Sequence, residues 1–222
     1  MSILFLGKQR DDFYTHKAIE FTHQIETDAQ VVLGKPGESL PEAVYQREYD
    51  YIISYLSPWI VPQALLERAR LAAVNFHPAP PEYPGTGCTN FAIYHGVKTY
   101  GVTCHHMLSR VDTGNIIAVR RFPVLASDTV YSLTQRCYVY LLALYIDLFS
   151  EVANGESLPV SSENWTRKPY RRVEFEALKK IELDMDPEEI RRRVKATTFP
   201  GYPGAYVEVG GVRFEYVDRS EP

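Results

Sequence analysis

The sequence LAAVNFHPAPPEYPGTG at residues 71–87 joins a short apolar run to a loop that holds four prolines and two glycines. The apolar run, residues 71–76, predicts a buried strand, and the proline-rich segment after it can form neither a helix nor a central strand. Side chains two residues apart in an extended segment project to the same side. We therefore expect Asn75 and His77 to face one cavity, with Phe76 buried on the other side.

Three further apolar strands are predicted upstream, at residues 3–6, 29–33 and 51–55, and helical segments at 11–23 and 60–71 separate them. This alternation predicts an α/β fold, Rossmann-like with a mainly parallel sheet, whose functional groups gather at the carboxyl ends of the strands. Downstream elements are predicted as follows: a helix at 89–95, strands at 100–107 and 115–122, and a long helix at 129–152.

The composition changes after Gly155, which places a domain boundary near residue 158. Residues 1–158 are predicted to form the catalytic domain and residues 159–222 a C-terminal extension. Within that extension, residues 159–172 are polar and extended, and Asp186 followed by Pro187 predicts the start of a helix. A β-hairpin is predicted around Gly210-Gly211.

The chain has 222 residues, a formal net charge of −4 and 45% apolar residues, which fits a soluble globular protein of about one large domain. The acidic balance disfavours nucleic acid as a partner. No signal peptide is recognisable, and the longest apolar stretch, residues 138–149, is too short to span a membrane. We expect a cytoplasmic protein without a membrane partner. The tyrosine-rich long helix and the terminal hairpin predict a homodimer.

Several common motifs are absent from the sequence. The first strand is followed by the single Gly7 and not by GxGxxG or a P-loop, and neither GxSxG nor HExxH occurs. The three cysteines are widely spaced and form no CxxC pair, so they indicate neither a disulfide framework nor a zinc site. No metal is expected.

Asn75 and His77 are the best candidates for chemistry. An amide can donate a hydrogen bond to a developing oxyanion, and an imidazole can accept a proton from an attacking amine. The alternative is a hydrogen-bonded pair that only ends the strand. Asp112, in the turn VDTG at residues 111–114, could orient the imidazole as the carboxylate of a triad does, or could only stabilise the turn.

Three segments together resemble the folate-dependent N-formyltransferases: NFHPAPPEYPG at 75–85, GVTCHHM at 101–107 and VDTGNI at 111–116. The resemblance implies a Rossmann-like fold that binds 10-formyltetrahydrofolate as the formyl donor. It implies catalytic roles for Asn75, His77 and Asp112. The acceptor would be an amine, and no metal would be needed.

The resemblance also implies contacts with both substrates. The folate donor is expected at strand ends and in the turn, on Ser54, Tyr55, Leu56, Arg110, Val111 and Gly114. Contacts with the acceptor are expected for Lys8, Pro78, Tyr83, Gly85, Asn90 and His105. Three of these residues keep an alternative: Lys8 as a solvated loop residue, Tyr83 as a residue that fills the loop, and His105 as a packed strand residue.

The loop HPAPPEYPG is similar to that of the sugar N-formyltransferases of surface-polysaccharide pathways, whereas most of the family has HPSLLPxYRG. The tail TFPGYPGAY is similar to the same group. The expected acceptor is a dTDP- or UDP-linked deoxyaminosugar. The alternatives are a glycinamide ribonucleotide formyltransferase and a non-catalytic module that binds folate or a nucleotide sugar; the latter would be favoured if one of the three catalytic residues were missing.

Overall fold

The computed structural model describes residues 1–217. Eight strands and six α-helices are assigned in this range. The strands are β1 Ile3–Lys8, β2 Gln30–Gly34, β3 Tyr49–Tyr55, β4 Ala69–His77, β5 Thr99–His106, β6 Ile116–Pro123, β7 Tyr206–Val209 and β8 Val212–Glu215. The helices are α1 Phe13–Ile25, α2 Gln63–Leu66, α3 Cys88–His95, α4 Val130–Ala153, α5 Arg172–Lys179 and α6 Pro187–Thr197, with a 3-10 turn at Glu42–Tyr45.

Six strands form one sheet in the order β2-β1-β3-β4-β5-β6. The pairings among β1, β2, β3 and β4 are parallel, and β5 and β6 are added antiparallel. This confirms the predicted α/β fold with a mainly parallel sheet. Both faces of the sheet are covered, so successive side chains along a strand are buried alternately on one face and on the other.

One face packs against α1 and α4, where Phe5, Phe76 and Tyr145 meet in the larger apolar cluster. The other face packs against the 3-10 turn and α2 through residues such as Leu4 and Ile52. Phe76 lies in the core as predicted, with its ring centroid 5.1 Å from that of Tyr145. The core thereby holds β4 rigidly, and the end of β4 carries Asn75 and His77.

One sequence prediction of local structure is wrong, and one helix was not predicted. The predicted helix at 60–71 is helical only over Gln63–Leu66, because β4 begins at Ala69 and pairs with β3 from there. Residues 159–171 contain no helix, as the predicted extended segment requires, but helix α5 begins at Arg172, the last residue of that segment, and was not predicted. This helix is polar on average, and only one of its faces is apolar, so its sequence lacks a long apolar run that would indicate a buried helix.

The C-terminal extension is attached to the core by specific hydrogen bonds. The Asn90 side chain donates to the Ala196 carbonyl at 2.8 Å, and the Tyr94 hydroxyl donates to Glu189 at 2.8 Å. The predicted helix that starts at Asp186 is confirmed as α6, and the predicted hairpin is confirmed as β7 and β8. The predicted domain boundary near residue 158 stays a prediction.

Candidate functional site

A cleft of about 340 Å³ lies at the carboxyl ends of β3 and β4. Its polar part is formed by Asn75, His77, His105 and Asp112. Its apolar part consists of side chains from the loop after β3 and from the segment after β5: Leu56, Pro58, Trp59, Ile60, Val61, Met107, Leu108 and Val111. The cleft therefore combines a compact polar end with an apolar wall long enough for an aromatic ring system.

The strand register brings the polar residues together. In the antiparallel pair of β4 and β5, Asn75 lies opposite His105 and His77 lies opposite Thr103. Asn75 and His77 both line the cleft, as the two-residue spacing predicted, and His105 joins them from the neighbouring strand. The chain then turns back at residues 110–114 and places Asp112 beside both imidazole rings.

Asp112 is held by three polar groups. Its Oδ2 accepts a hydrogen bond from the Gly85 backbone N–H at 2.8 Å and lies 3.4 Å from His77 Nδ1. Its Oδ1 lies 3.2 Å from His105 Nε2. The side chain is almost fully buried. A carboxylate so enclosed and so partnered can hold an imidazole in one orientation and stabilise its protonated form.

The pKa of Asp112 follows from this environment. Burial alone would raise the pKa, but the neighbouring His77, the hydrogen bond from His105 and the Gly85 N–H together outweigh burial. They hold the pKa of the carboxyl group well below its usual range. Asp112 is therefore ionised throughout the physiological pH range.

Both nitrogens of His77 face oxygen atoms. Nδ1 faces Asp112, and Nε2 lies 3.1 Å from the backbone carbonyl oxygen of Tyr83. Since a carbonyl oxygen can only accept, the contact with Tyr83 is made by an N–H on Nε2. The ring is thereby held between the Asp112 carboxylate and the loop that contains Tyr83.

The backbone is unusual at the same place. Leu56 and Asp112 are the two non-glycine residues with positive φ among residues 1–217, at +50° and +48°. Both line the cleft. A left-handed conformation costs such residues about 1–2 kcal/mol. A strained backbone of this kind persists where many surrounding contacts hold it in place, which is common at functional sites.

Trp165 closes the back of the site and was not assigned to it from the sequence alone. The indole N–H donates to the Gly114 carbonyl at 2.8 Å, and the ring meets His105 and His77 edge-on, with centroid separations of 5.0 and 6.0 Å. A lone tryptophan in a polar extended segment was the only available signal. Trp59 was also missed, although it follows β3 at the sheet edge where ligands bind.

Of the predicted donor-binding residues, Ser54, Leu56, Arg110 and Val111 line the cleft, but Tyr55 and Gly114 do not. Tyr55 points to the opposite face of β3 and is fully buried among Phe5, Phe76 and Tyr145. Gly114 packs so tightly that a Cβ there would lie 1.9 Å from the His106 carbonyl oxygen. Gly114 thus shapes the turn that carries Asp112.

Of the predicted acceptor-binding residues, Pro78, Gly85 and His105 line the cleft. Lys8, Tyr83 and Asn90 lie outside it. Lys8 ends β1, away from the cleft lining. The Tyr83 hydroxyl hydrogen-bonds to His95 Nδ1 at 3.1 Å, so only its backbone carbonyl reaches the site. The Asn90 amide is used to anchor α6.

No group of three or more His, Cys, Asp or Glu side chains among residues 1–217 is arranged to hold a metal ion. Within the same residues, no helix is both long enough and apolar enough to cross a membrane.

Comparison with known protein families identifies the class of protein to which this fold and this cleft belong. A family model described as "Formyl transferase" matches residues 35–146, and the chain belongs to this family. The methionyl-tRNA formyltransferase of Lactobacillus johnsonii is 27% identical over 169 residues, which are 76% of this chain and 53% of that protein. The chain thus spans about half the length of the curated relatives it matches.

Solved structures of similar fold cover the chain more completely. A sugar N-formyltransferase from a Shewanella species superposes with a TM-score of 0.76 at 18% identity and covers 97% of this chain and 96% of its own. An N-formyltransferase from Helicobacter canadensis, in complex with folinic acid and dTDP-3-aminofucose, gives 0.71 at 19% identity and covers 94% and 84%. At these identities the likeness establishes the fold.

Proposed function

We propose that the protein transfers a formyl group from 10-formyltetrahydrofolate to the amino group of a dTDP- or UDP-linked deoxyaminosugar, in the synthesis of surface-polysaccharide precursors. The observation that carries the proposal is the convergence of Asn75, His77 and Asp112 on one cleft, with 3.4 Å between His77 Nδ1 and Asp112 Oδ2. Family membership and the similarity to the sugar N-formyltransferases support the donor and the acceptor class.

The cleft suits a folate. Trp59, Ile60 and Leu108 form an apolar wall for a flat heterocycle, and the polar end lies beside it. The bound donor supplies the formyl carbon on N10. Ser54, Arg110 and the backbone around Leu56 would hold the heterocycle, which leaves Asn75 and His77 for the one-carbon unit.

Each polar side chain has a separate task in the proposed reaction. The amine nitrogen bonds to the formyl carbon, the carbon–N10 bond breaks, and the proton lost by the amine ends on N10. Asn75 donates a hydrogen bond to the formyl oxygen as negative charge develops on it. His77 accepts the proton from the amine nitrogen and returns it to the leaving N10. Asp112 orients the imidazole and stabilises its charge.

The resting contact of His77 adds a requirement to this sequence of events. Nε2 is bonded to the Tyr83 carbonyl, so it must leave that oxygen before it can accept a proton from an amine in the cleft. This requires the ring to rotate away from the Tyr83 carbonyl. A ring protonated on both nitrogens could donate to the Tyr83 carbonyl and to Asp112 at the same time, which would stabilise the imidazolium formed when the amine attacks.

A panel of acceptors tests the function. Purified protein with 10-formyltetrahydrofolate is offered dTDP- and UDP-linked amino sugars, glycinamide ribonucleotide and methionyl initiator tRNA, and formylated products are identified by mass. We expect formylation of a nucleotide-linked amino sugar, and a rate lower by about 10²-fold or more with His77→Asn. Formylation of the ribonucleotide alone would contradict the proposed acceptor.

Transfer to methionyl-tRNA is the second candidate, because the matching curated relatives carry that name. The net charge of −4 disfavours it, since binding to a phosphate backbone needs a basic face. The same panel separates the two candidates.

A further inference from the structure

The proline-rich loop at residues 81–86 contacts both His77 and Asp112 through its backbone. The Tyr83 carbonyl oxygen lies 3.1 Å from His77 Nε2, and the Gly85 N–H donates to Asp112 Oδ2 at 2.8 Å. A shift of the loop would therefore disturb both side chains to which the proposed reaction assigns proton transfer. Their geometry depends on whatever holds the loop in place.

The loop is held by hydrogen bonds to the C-terminal extension. Pro81 and Pro84 have no backbone N–H, so at these positions the loop can only accept. The partner is a covering segment, residues 165–170, that runs beside the loop. The Tyr170 N–H donates to the Pro84 carbonyl at 2.9 Å, and the Thr86 N–H donates to the Tyr170 carbonyl at 2.9 Å. Tyr170 thus binds the loop on both sides of Gly85.

The side chain of Tyr170 fixes the covering segment on the protein. It is 7% exposed, and its ring is nearly parallel to that of Phe91 in α3, with the two centroids 3.9 Å apart. The central carbon of the Arg167 guanidinium lies 3.1 Å from the centroid of the Tyr170 ring. Two groups this close cannot share one face of a ring, so Tyr170 is enclosed between Phe91 and Arg167. The stacked ring fixes the backbone that binds the loop.

We propose that Tyr170 is a positioning residue for the formyl transfer: its stacked ring fixes the loop at 81–86, and the loop holds the imidazole and the carboxylate of the proposed reaction in their relative positions. The proposal rests on the proposed function. Tyr170 does not line the cleft, so its effect must pass through the loop. It also lies beyond residue 146, where the match to the family model ends.

Two substitutions test the role of the ring. Tyr170→Phe keeps the stacked ring and should keep kcat within about twofold, whereas Tyr170→Leu removes the stacking and should lower kcat about 10-fold or more. Binding of folinic acid should change by less than about twofold in both variants, because the apolar wall of the cleft is formed by other segments. Equal losses of kcat in the two variants would overturn the proposal.

Tyr51→Leu is the matched control for the loss of a buried tyrosine. Tyr51 is also 7% exposed, but it lies near the start of β3, at the edge of the sheet opposite to the cleft, where its ring packs on Phe149. The variant should lose stability as Tyr170→Leu does and keep kcat within about twofold. A loss of kcat as large as that in Tyr170→Leu would show a general effect of stability and overturn the proposal.

Arg167→Ala gives a second test, because the Arg167 side chain is partly exposed and its loss leaves the core intact. The variant removes one of the two groups that enclose the Tyr170 ring, and we expect kcat to fall about threefold or more. Binding of folinic acid shows that each variant is folded. Unchanged kcat in Arg167→Ala would overturn the proposal, also if Tyr170→Leu fails to fold.

A double-mutant cycle shows whether Tyr170 acts through the carboxylate. When Asp112 is already asparagine, Tyr170→Leu should lower kcat by less than about threefold, because the group that the loop positions has been removed. The same loss in both backgrounds would show that Tyr170 acts independently of Asp112, which contradicts the proposal.

Hydrogen exchange of the backbone amides needs no acceptor. The Gly85 N–H should exchange with solvent at least about 10-fold faster in Tyr170→Leu than in Tyr51→Leu, because only the first substitution loosens the loop. Equal exchange in the two variants would overturn the inference. If no acceptor in the panel is formylated while Gly85 exchanges as expected, the proposed function fails and the attachment of the loop by Tyr170 stands.

Discussion

Asp112 and Glu189 are two carboxylates with lowered pKa values, and the protein uses them differently. Asp112 is buried at the cleft, on a strained backbone, between two histidines. Glu189 is half-buried on α6 and bonds to Arg192, Arg193 and Tyr94. Burial alone would raise the pKa of Glu189, but hydrogen bonds from Arg193, Tyr94 and Arg192 outweigh it and lower the pKa to about 2.

The partners explain the difference. The arginines of Glu189 remain charged at all accessible pH values, so this cluster is a fixed attachment between α6 and α3. The partners of Asp112 are imidazoles, a type of group that can both accept and release a proton. A carboxylate paired with histidine can take part in proton transfer, whereas one paired with arginine only holds two elements together. The following predictions test this contrast.

The largest effect is expected on turnover. His77→Asn and Asp112→Asn should each lower kcat by about 10²-fold or more while binding of folinic acid is largely kept, because each removes a group that the proposed reaction uses for proton transfer. Steady-state kinetics with the acceptor that the panel identifies, together with a folate titration, measures both quantities. Near-normal turnover in His77→Asn would refute the role of His77 as proton acceptor.

Gly85→Ala should lower the free energy of unfolding by about 2–4 kcal/mol. Gly85 has φ of +88°, and an added Cβ would lie 2.4 Å from the Tyr170 carbonyl oxygen, so the loop that donates to Asp112 would have to shift. Gly37→Ala is the matched control. It has φ of +90° with nothing within 4 Å and should cost only the conformational strain, about 1–2 kcal/mol. Denaturant unfolding of both variants measures the difference, and equal losses would contradict the close-contact argument.

The pH dependence of stability should distinguish Asp112 from its asparagine variant. Because the folded pKa of Asp112 lies below its unfolded value of about 4, its ionised form stabilises the fold above that pH. This contribution is lost as the pH falls through the acidic range toward the folded pKa. We therefore expect the difference in unfolding free energy between wild type and Asp112→Asn to shift in favour of the variant as the pH falls below about 4. A difference independent of pH would refute the assignment.

The smallest effect is expected at Glu189. Glu189→Gln weakens an ion-pair cluster that is partly open to solvent, so it should lower stability by about 1 kcal/mol or less and leave kcat unchanged. The exposed neighbour Glu188→Gln is the control for the loss of one charge on the same helix. Thermal unfolding and the turnover assay measure the two quantities. A large fall in kcat for Glu189→Gln alone would break the contrast between the two carboxylates.

The sequence predicts the parts of the site that depend on local spacing. Asn75 and His77 share one side of β4 because they are two residues apart, and Phe76 enters the core for the same reason. The proximity of Asp112 to His77 stayed an expectation, because it depends on how the turn folds back over β5. The contact between His105 and Asn75 depends on the register of an antiparallel pair, which the residues of either strand alone do not reveal.

Three residues were misplaced or missed because their contacts with the site depend on the tertiary structure. Tyr55 ends a strand at the correct edge, yet its side chain points to the far face and fills the core. Tyr83 contacts His77 through its backbone carbonyl, and a contact of the backbone cannot be predicted from the type of side chain. Trp165 is 51 residues from the Gly114 carbonyl to which it donates, so only the tertiary fold brings it to the histidines.

Trp165 has a consequence for how much of the chain is needed. All the polar groups of the site precede residue 113, and the family match ends at residue 146. A shortened polypeptide that stops at residue 158 would keep every one of these groups but would lose the indole ring that covers the edges of the two imidazoles. We therefore expect both imidazoles to be more exposed to solvent in such a polypeptide.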